Sequence, residues 1–127
     1  MVNYSETLTK TFELAPDTPI LDAEQVAMLR EAGEGLLEDL IATFDEECEP
    51  RLDDVTQACG AQDAVALRES IHFIAGSAAN IGLLRLAELC RNIEFQIKEN
   101  RFGAYTETSD TVRTEYAHGL AELAEGA

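Results

Sequence analysis

Apolar residues recur along this chain at intervals of three and four, the spacing that puts them on one face of an α-helix. The longest stripe is Leu37, Leu40, Ile41, Phe44, Cys48, Leu52, Val55 and Cys59, which predicts a helix over residues 36–58 closed by Gly60. Pro50 lies inside it and should remove one backbone hydrogen bond and bend the helix. Ahead of it, Ile20-Leu21-Asp22 opens a short helix. Asp22 is placed as N-cap, Gln25 as capping-box partner and Leu21 as a staple onto Val26, and the helix ends near Ala32-Gly33. Asp63 caps a third helix reaching Asn80, with Leu67, Ile71, Ile74 and Ala78 as its stripe; Asn80 and Gly82 mark its end. A fourth runs over residues 84–99 with Leu86, Leu89, Cys90, Ile93 and Ile97 inward. After the turn Asn100-Arg101-Phe102-Gly103, a fifth begins near Thr106 and carries Val112, Tyr116, Leu120 and Leu123.

Short turns between amphipathic helices force antiparallel neighbours. The expected fold is therefore all-α: an antiparallel up-down four-helix bundle with a short extra N-terminal helix across one end. Residues 1–19 are polar and mixed, and Pro16-Asp17-Thr18-Pro19 forbids helix at that point. They read as an N-terminal extension to a single bundle domain over residues 20–127.

Composition narrows the function classes. Nine basic residues stand against 25 acidic ones, a formal charge of −16 that repels phosphate backbones and anionic lipid, so neither nucleic acid nor a membrane surface is an expected partner. The three cysteines, Cys48, Cys59 and Cys90, form no C-x-x-C and have no histidine nearby, which argues against a zinc site or a disulfide framework; buried thiols in a reducing compartment fit better. The first 20 residues hold no apolar h-region and no apolar run approaches membrane-spanning length, so the expected location is cytoplasmic. No metal or cofactor is expected. Five helices are enough to cover one core, so the chain is expected to be a monomer.

Only two histidines are present. At 100° per residue His72 lies roughly 130° from the centre of the Leu67–Ala78 stripe, which exposes it in the middle of a helix. Arg68 at i−4, Ala75 at i+3, Gly76 at i+4 and Ala79 at i+7 share its face. A glycine inside a helix costs about 0.5–1 kcal/mol relative to alanine, so Gly76 needs a reason. One reason is access: a flat, small-residue surface lets another protein reach a protruding imidazole. The plainer alternative is a surface histidine beside a glycine needed for close helix packing. His118 falls opposite the stripe of the last helix and reads as an ordinary surface residue.

The stretch His72-Phe73-Ile74-Ala75-Gly76-Ser77-Ala78-Ala79-Asn80-Ile81-Gly82 resembles the signature of histidine phosphotransfer (HPt) domains, H-x-x-K-G-S followed by small residues and a helix-ending glycine. Leu83-Leu84-Arg85-Leu86-Ala87-Glu88-Leu89-Cys90 is similar to the family's next helix, and the likeness spans about residues 20–124. The resemblance implies a four-helix bundle in a two-component phosphorelay, with His72 accepting a phosphoryl group through Nε2 from an aspartate of a response-regulator receiver domain or a hybrid histidine kinase. It implies no ATP-dependent kinase activity, and no P-loop or kinase glycine loop is present. Ser77 belongs to the signature, but its angle points it toward the bundle, where it would support packing. The family's lysine is replaced by Ala75; Arg68 and Lys98 are the cations placed to substitute for it, or are simply solvated surface charges. Two rival classes remain: a non-phosphorylated helical adaptor that keeps the HPt shape and binds receiver or kinase domains, and a bundle enzyme with a metal or carboxylate site. The second would need inward-facing E-x-x-H pairs, and none is present.

Overall fold

The computed structural model describes residues 2–125 and, among them, contains helices and no strand. A turn of α-helix, α1 (Tyr4–Glu6), runs into a π-helical turn, Thr7–Thr11. Then follow α2 (Ala23–Ala32), α3 (Leu36–Ala61), α4 (Ala64–Asn80), α5 (Leu84–Lys98) and α6 (Tyr105–Glu125). The last four pack in a ring: α4 against α3 and α5, and α6 against α3 and α5, while α2 lies on α3. Three cross-links fix the sense of α3 against α6. Tyr116 donates to Asp45 at 2.7 Å, Arg113 pairs with Asp53 at 2.9 Å, and Ser109 meets Thr56 at 2.6 Å. Numbers rise in one helix as they fall in the other, so the two are antiparallel.

The caps explain the element boundaries. Asp22 Oδ1 accepts from the Gln25 N–H and Asp63 Oδ1 from the Ala66 N–H, each at 3.1 Å, satisfying a free donor at the start of α2 and of α4. Gln25 does not return the bond as a capping box would; its Nε2 donates to the Asn80 carbonyl and ties α2 to the end of α4. The α4–α5 turn is a Schellman motif: Leu83 N–H bonds the Ala78 carbonyl at 2.9 Å and Gly82 N–H that of Ala79 at 3.2 Å. Gly82 adopts φ +84°, and a Cβ there would approach Val26 Cγ2 to 2.7 Å, so position 82 admits no side chain without moving α2.

Two boundaries differ from expectation. Gly60 does not end α3. The helix continues to Ala61, and Gln62 takes the left-handed conformation (φ 51°), because the reversal is made where Asp63 must start the next helix. Pro50 sits inside an unbroken α3, where its missing N–H frees a carbonyl on the exposed Glu46 face.

The larger correction concerns the N-terminal residues, read as a polar extension. Leu8, Phe12 and Leu14 belong to the same buried cluster as the helices, and Phe12 is completely buried. Asn92 of α5 donates to the Phe12 and Glu13 carbonyls (3.0 and 3.3 Å), and Gln96 donates to the Thr11 carbonyl and the Glu13 carboxylate (3.1 and 2.7 Å). Arg101 foremost, and then Gln96, hold the Glu13 carboxyl below its ordinary range. From the other end of the strap Tyr4 hydrogen-bonds Glu115, a fully buried carboxylate on α6 that also accepts from Arg85 Nε at 2.8 Å. A buried charge must be paired to be tolerated, and this one is paired by α5 and the strap together. Residues 4–14 are thus a strap across α5 and α6. Residue 1 and residues 126 and 127, the outer ends of the two expected segments, lie outside the described residues.

Phe12→Ala should therefore destabilise the whole fold by about 3–5 kcal/mol, as other deeply buried phenylalanines do. Urea unfolding followed by circular dichroism reads this directly; a loss under about 1 kcal/mol would mean the strap is an ornament to the bundle.

Candidate functional site

His72 sits in the middle of α4 with its side chain 74% exposed. The Leu67, Ile71, Ile74 and Ala78 stripe faces the core and forces the opposite side of the helix, with His72 on it, toward solvent. The ring is not free. Its Nδ1 lies 2.9 Å from Glu94 Oε2 of α5, and Arg68 Nε lies 3.8 Å from the same oxygen. The Glu94 side chain is only 17% exposed, wedged between the two helices at the level of the histidine.

That contact decides the tautomer. An ionised carboxylate can only accept hydrogen bonds, so Nδ1 carries the ring hydrogen and the lone pair of the neutral imidazole is left on Nε2. Nε2 is the nitrogen farther from the backbone. The site is a held imidazole whose nucleophilic atom projects outward, with Arg68 beside it.

Glu94 escaped the sequence reading. Periodicity assigned α5 an inward face and treated its remaining charged positions as solvated; which of them meets His72 depends on the register between α4 and α5, set by the Gly82 turn. Gln96, buried on the strap side, and Glu115, buried in α6, were missed for the same reason: a polar residue reads as outward until its partner on another element is known.

The other expected site residues separate into two groups. Arg68, half-exposed, does share the face and joins the Glu94 cluster. Gly76 is exposed, and a Cβ there would meet nothing within 4 Å; its φ lies in the ordinary helical range. Neither packing nor backbone strain calls for a glycine at this position, in contrast to Gly119, where a Cβ would lie 2.9 Å from Leu83 Cδ2. Ala79 is half-buried and keeps the surface beyond Gly76 low. Ala75, expected on the open face, is instead only 3% exposed. By helical geometry it lies on the Arg68 side of His72, the side facing Glu94, and α5 covers it there. A lysine at 75 would have to thread out between the two helices. Ser77 is half-buried beside Cys48; burial pushes that thiol up while the Ser77 hydroxyl acts the other way, which fits a packing role for Ser77. Lys98 is exposed one turn beyond Glu94, and among the described residues no hydrogen bond or ion pair joins it to His72 or Arg68. His118 is exposed on α6, with Nδ1 3.8 Å from Glu115.

A cleft of about 500 Å³ opens beside His72 toward the start of α4. Ala64, Val65, Arg68, Glu69, Ile97 and Asn100 line it, and Lys98 does not. Val65 is 71% exposed, an apolar side chain left open on the same surface as the imidazole. On the other side of α4, Arg51 of α3 lies over the Phe73 ring at 4.5 Å. Among the described residues no group of three or more His, Cys, Asp or Glu side chains is arranged to hold a metal ion, and no helix is long and apolar enough to cross a membrane.

No curated protein sequence matches the chain. Among solved structures, the crystal structure of histidine-containing phosphotransfer protein B (HptB) from Pseudomonas aeruginosa PAO1 is similar with a TM-score of 0.74 and 28% identity, over 85% of this chain and 94% of that one. The sequence model of the Hpt domain matches residues 39–126, more than half of the chain and all of the ring except the first three residues of α3. With an all-helical fold and an exposed, carboxylate-held histidine in its central helix, the chain belongs to the Hpt domain family, and the role this indicates is histidine phosphotransfer in a phosphorelay.

Proposed function

We propose that this protein is a phosphorelay carrier that takes a phosphoryl group on His72 Nε2 from an aspartyl phosphate of a receiver domain, in a response regulator or hybrid histidine kinase, and returns it to another. The observation that carries this reading is the Nδ1–Glu94 contact at 2.9 Å, which leaves Nε2 as the free, outward nucleophile. In uptake the Nε2 lone pair attacks phosphorus, the bond from phosphorus to the aspartyl oxygen breaks, and the aspartate leaves as a carboxylate. The partner brings the aspartate and its metal, so this chain needs only to position the ring. The free Nε2, the low surface of Gly76 and Ala79 and the open Val65 cleft are the means of that approach.

Arg68 is the cation best placed to face the phosphoryl oxygens, being one turn before His72 and half-exposed. An exposed pairing of this kind contributes about 0.5–1 kcal/mol, or a few-fold in rate. The reading takes the protein as a cytoplasmic monomer: three buried free thiols suit a reducing compartment, and His72, Glu94 and Arg68 all lie on one chain. The buried Ala75 in place of the family's lysine is the one observation favouring a non-phosphorylated adaptor that binds receiver or kinase domains.

His72→Gln should keep helix content and melting temperature yet lose all phosphoryl uptake from a phosphorylated receiver, while His118→Gln takes up label like the parent. Label retained on the His72→Gln protein would move the acceptor to another residue, and an unlabelled parent that still binds the receiver would replace the carrier with the adaptor. Position 76 gives a second test. Gly76→Ala should stabilise the fold by about 0.5–1 kcal/mol, since no neighbour obstructs the Cβ. Gly76→Gln should fold equally well but transfer at least several-fold more slowly; transfer at the parent rate would show that the glycine does not serve access.

A further inference from the structure

The carboxylate that fixes the resting tautomer has a second consequence once the ring is modified. Attack by Nε2 places phosphorus on that nitrogen while the hydrogen stays on Nδ1, so the immediate product is a phosphoimidazolium, a ring with one positive charge. Two fates are open to it. If Nδ1 loses its proton to solvent, the ring becomes a neutral phosphoimidazole with a bare lone pair on Nδ1. If the proton stays, the ring remains charged. We propose that Glu94 keeps the phosphorylated His72 ring protonated at Nδ1, and that this makes the protein a fast, short-lived phosphoryl donor rather than a long-lived store. The proposal rests on His72 being the phosphoryl acceptor.

The geometry favours the charged ring for a simple reason. A carboxylate has no hydrogen to offer, so the Glu94 oxygen at 2.9 Å attracts an Nδ1–H and repels an Nδ1 lone pair. Glu94 is mostly buried, which keeps water from taking its place. The other charges near this face are Arg68, 3.8 Å from the same oxygen, and Glu69 in the cleft wall; from α3 there is Arg51 over Phe73, and from α5 Lys98, exposed and one turn beyond Glu94, and Arg91, one turn before it and paired with Glu88 at 3.7 Å. Arg68 tempers Glu94 but does not displace it, because its Nε is farther from Oε2 than Nδ1 is. An opposite charge at hydrogen-bond distance favours the charged form by about tenfold or more.

The charge matters because of what leaves when phosphorus departs. On transfer to an aspartate the nitrogen–phosphorus bond breaks and its electron pair stays on Nε2. From the charged ring the leaving group is neutral imidazole, with the hydrogen still on Nδ1; from the neutral ring it would be an imidazolate anion, a much poorer leaving group. No proton has to move in either direction between receiver and carrier if Glu94 holds the one on Nδ1. The positive ring also stands next to the phosphoryl oxygens. It thereby supplies charge where the family's lysine would act and where the buried Ala75 cannot.

The test needs no cognate partner. In a His118→Gln background, so that His72 is the one histidine, the protein and its Glu94→Gln variant are phosphorylated with phosphoramidate. The donor is removed, and loss of phosphohistidine is followed by 31P NMR from pH 6 to 9. Glutamine is isosteric but can donate to a bare Nδ1, so it tolerates the neutral ring. Both proteins should decay alike at pH 6, where the ring is protonated without help. As pH rises, the variant's half-life should lengthen about one pH unit earlier, reaching about a tenfold difference in the alkaline range. Nitrogen-15 shifts of the labelled ring should show a largely protonated Nδ1 in the parent at about pH 7 and a largely bare one in the variant. Glu94→Ala, which leaves neither an acceptor nor a donor beside Nδ1, should follow the glutamine variant in its pH profile. Superimposable decay profiles together with a bare Nδ1 in the parent would overturn the proposal. A parent protein that never acquires phosphohistidine would overturn instead the reading of His72 as acceptor, on which the proposal stands.

Discussion

A single hydrogen bond, from His72 on α4 to Glu94 on α5, is the constraint around which this molecule is organised. It can form only if two helices, separated in sequence by a three-residue turn, settle in one register, and most of the structure serves that register. The Schellman turn at Gly82 sets where α5 begins, and α2 locks the turn through Asp22, Gln25 and Val26. Ile71, Ile74, Leu89 and Ile93, all fully buried, clamp the helices from within. From outside, the N-terminal strap grips α5 through Asn92 and Gln96, two residues to either side of Glu94 and therefore on nearly the opposite side of the helix. One surface of α5 is fixed by buried polar contacts so that the other can present a carboxylate to an exposed ring.

The glycines divide along the same line between holding and reaching. Gly82 and Gly119 are demanded by the fold, the first by a left-handed backbone and the second by the closeness of Leu83. Gly76 is demanded by nothing inside the chain, and a helix gives up stability to keep it. A residue whose cost has no internal reason points to something outside the molecule, here the surface that must come down over Nε2.

Periodicity alone located five helices, and the Asp22 and Asp63 caps fell where the side chains required. His72 was legible as exposed because one helix is enough to compute its direction, and the stretch from His72 to Gly82 carried the family likeness. What sequence could not yield were relations between elements. Glu94 and Gln96 look like solvated positions until the register of α4 on α5 and the path of the strap are known. Glu115 looks like a surface acid until Arg85 and Tyr4 arrive from elsewhere. Ala75 was assigned to the open face because the helix was considered by itself, yet α5 covers it. The strap was taken for an extension because two prolines and a run of threonines hide three core residues, Leu8, Phe12 and Leu14, too few to show a period.

The most direct measurement of the central claim is to place the phosphoryl group on the chain by chemistry. The unaltered protein, incubated with a phosphorylated receiver domain and separated from it, is examined by 31P NMR and by fragmentation of its peptides. One phosphoramidate signal is expected, stable in alkali and lost in acid, on the peptide containing His72 and on its Nε2. A signal on Nδ1, on His118 or on a hydroxyl, or no transfer from receivers the protein binds, would contradict it.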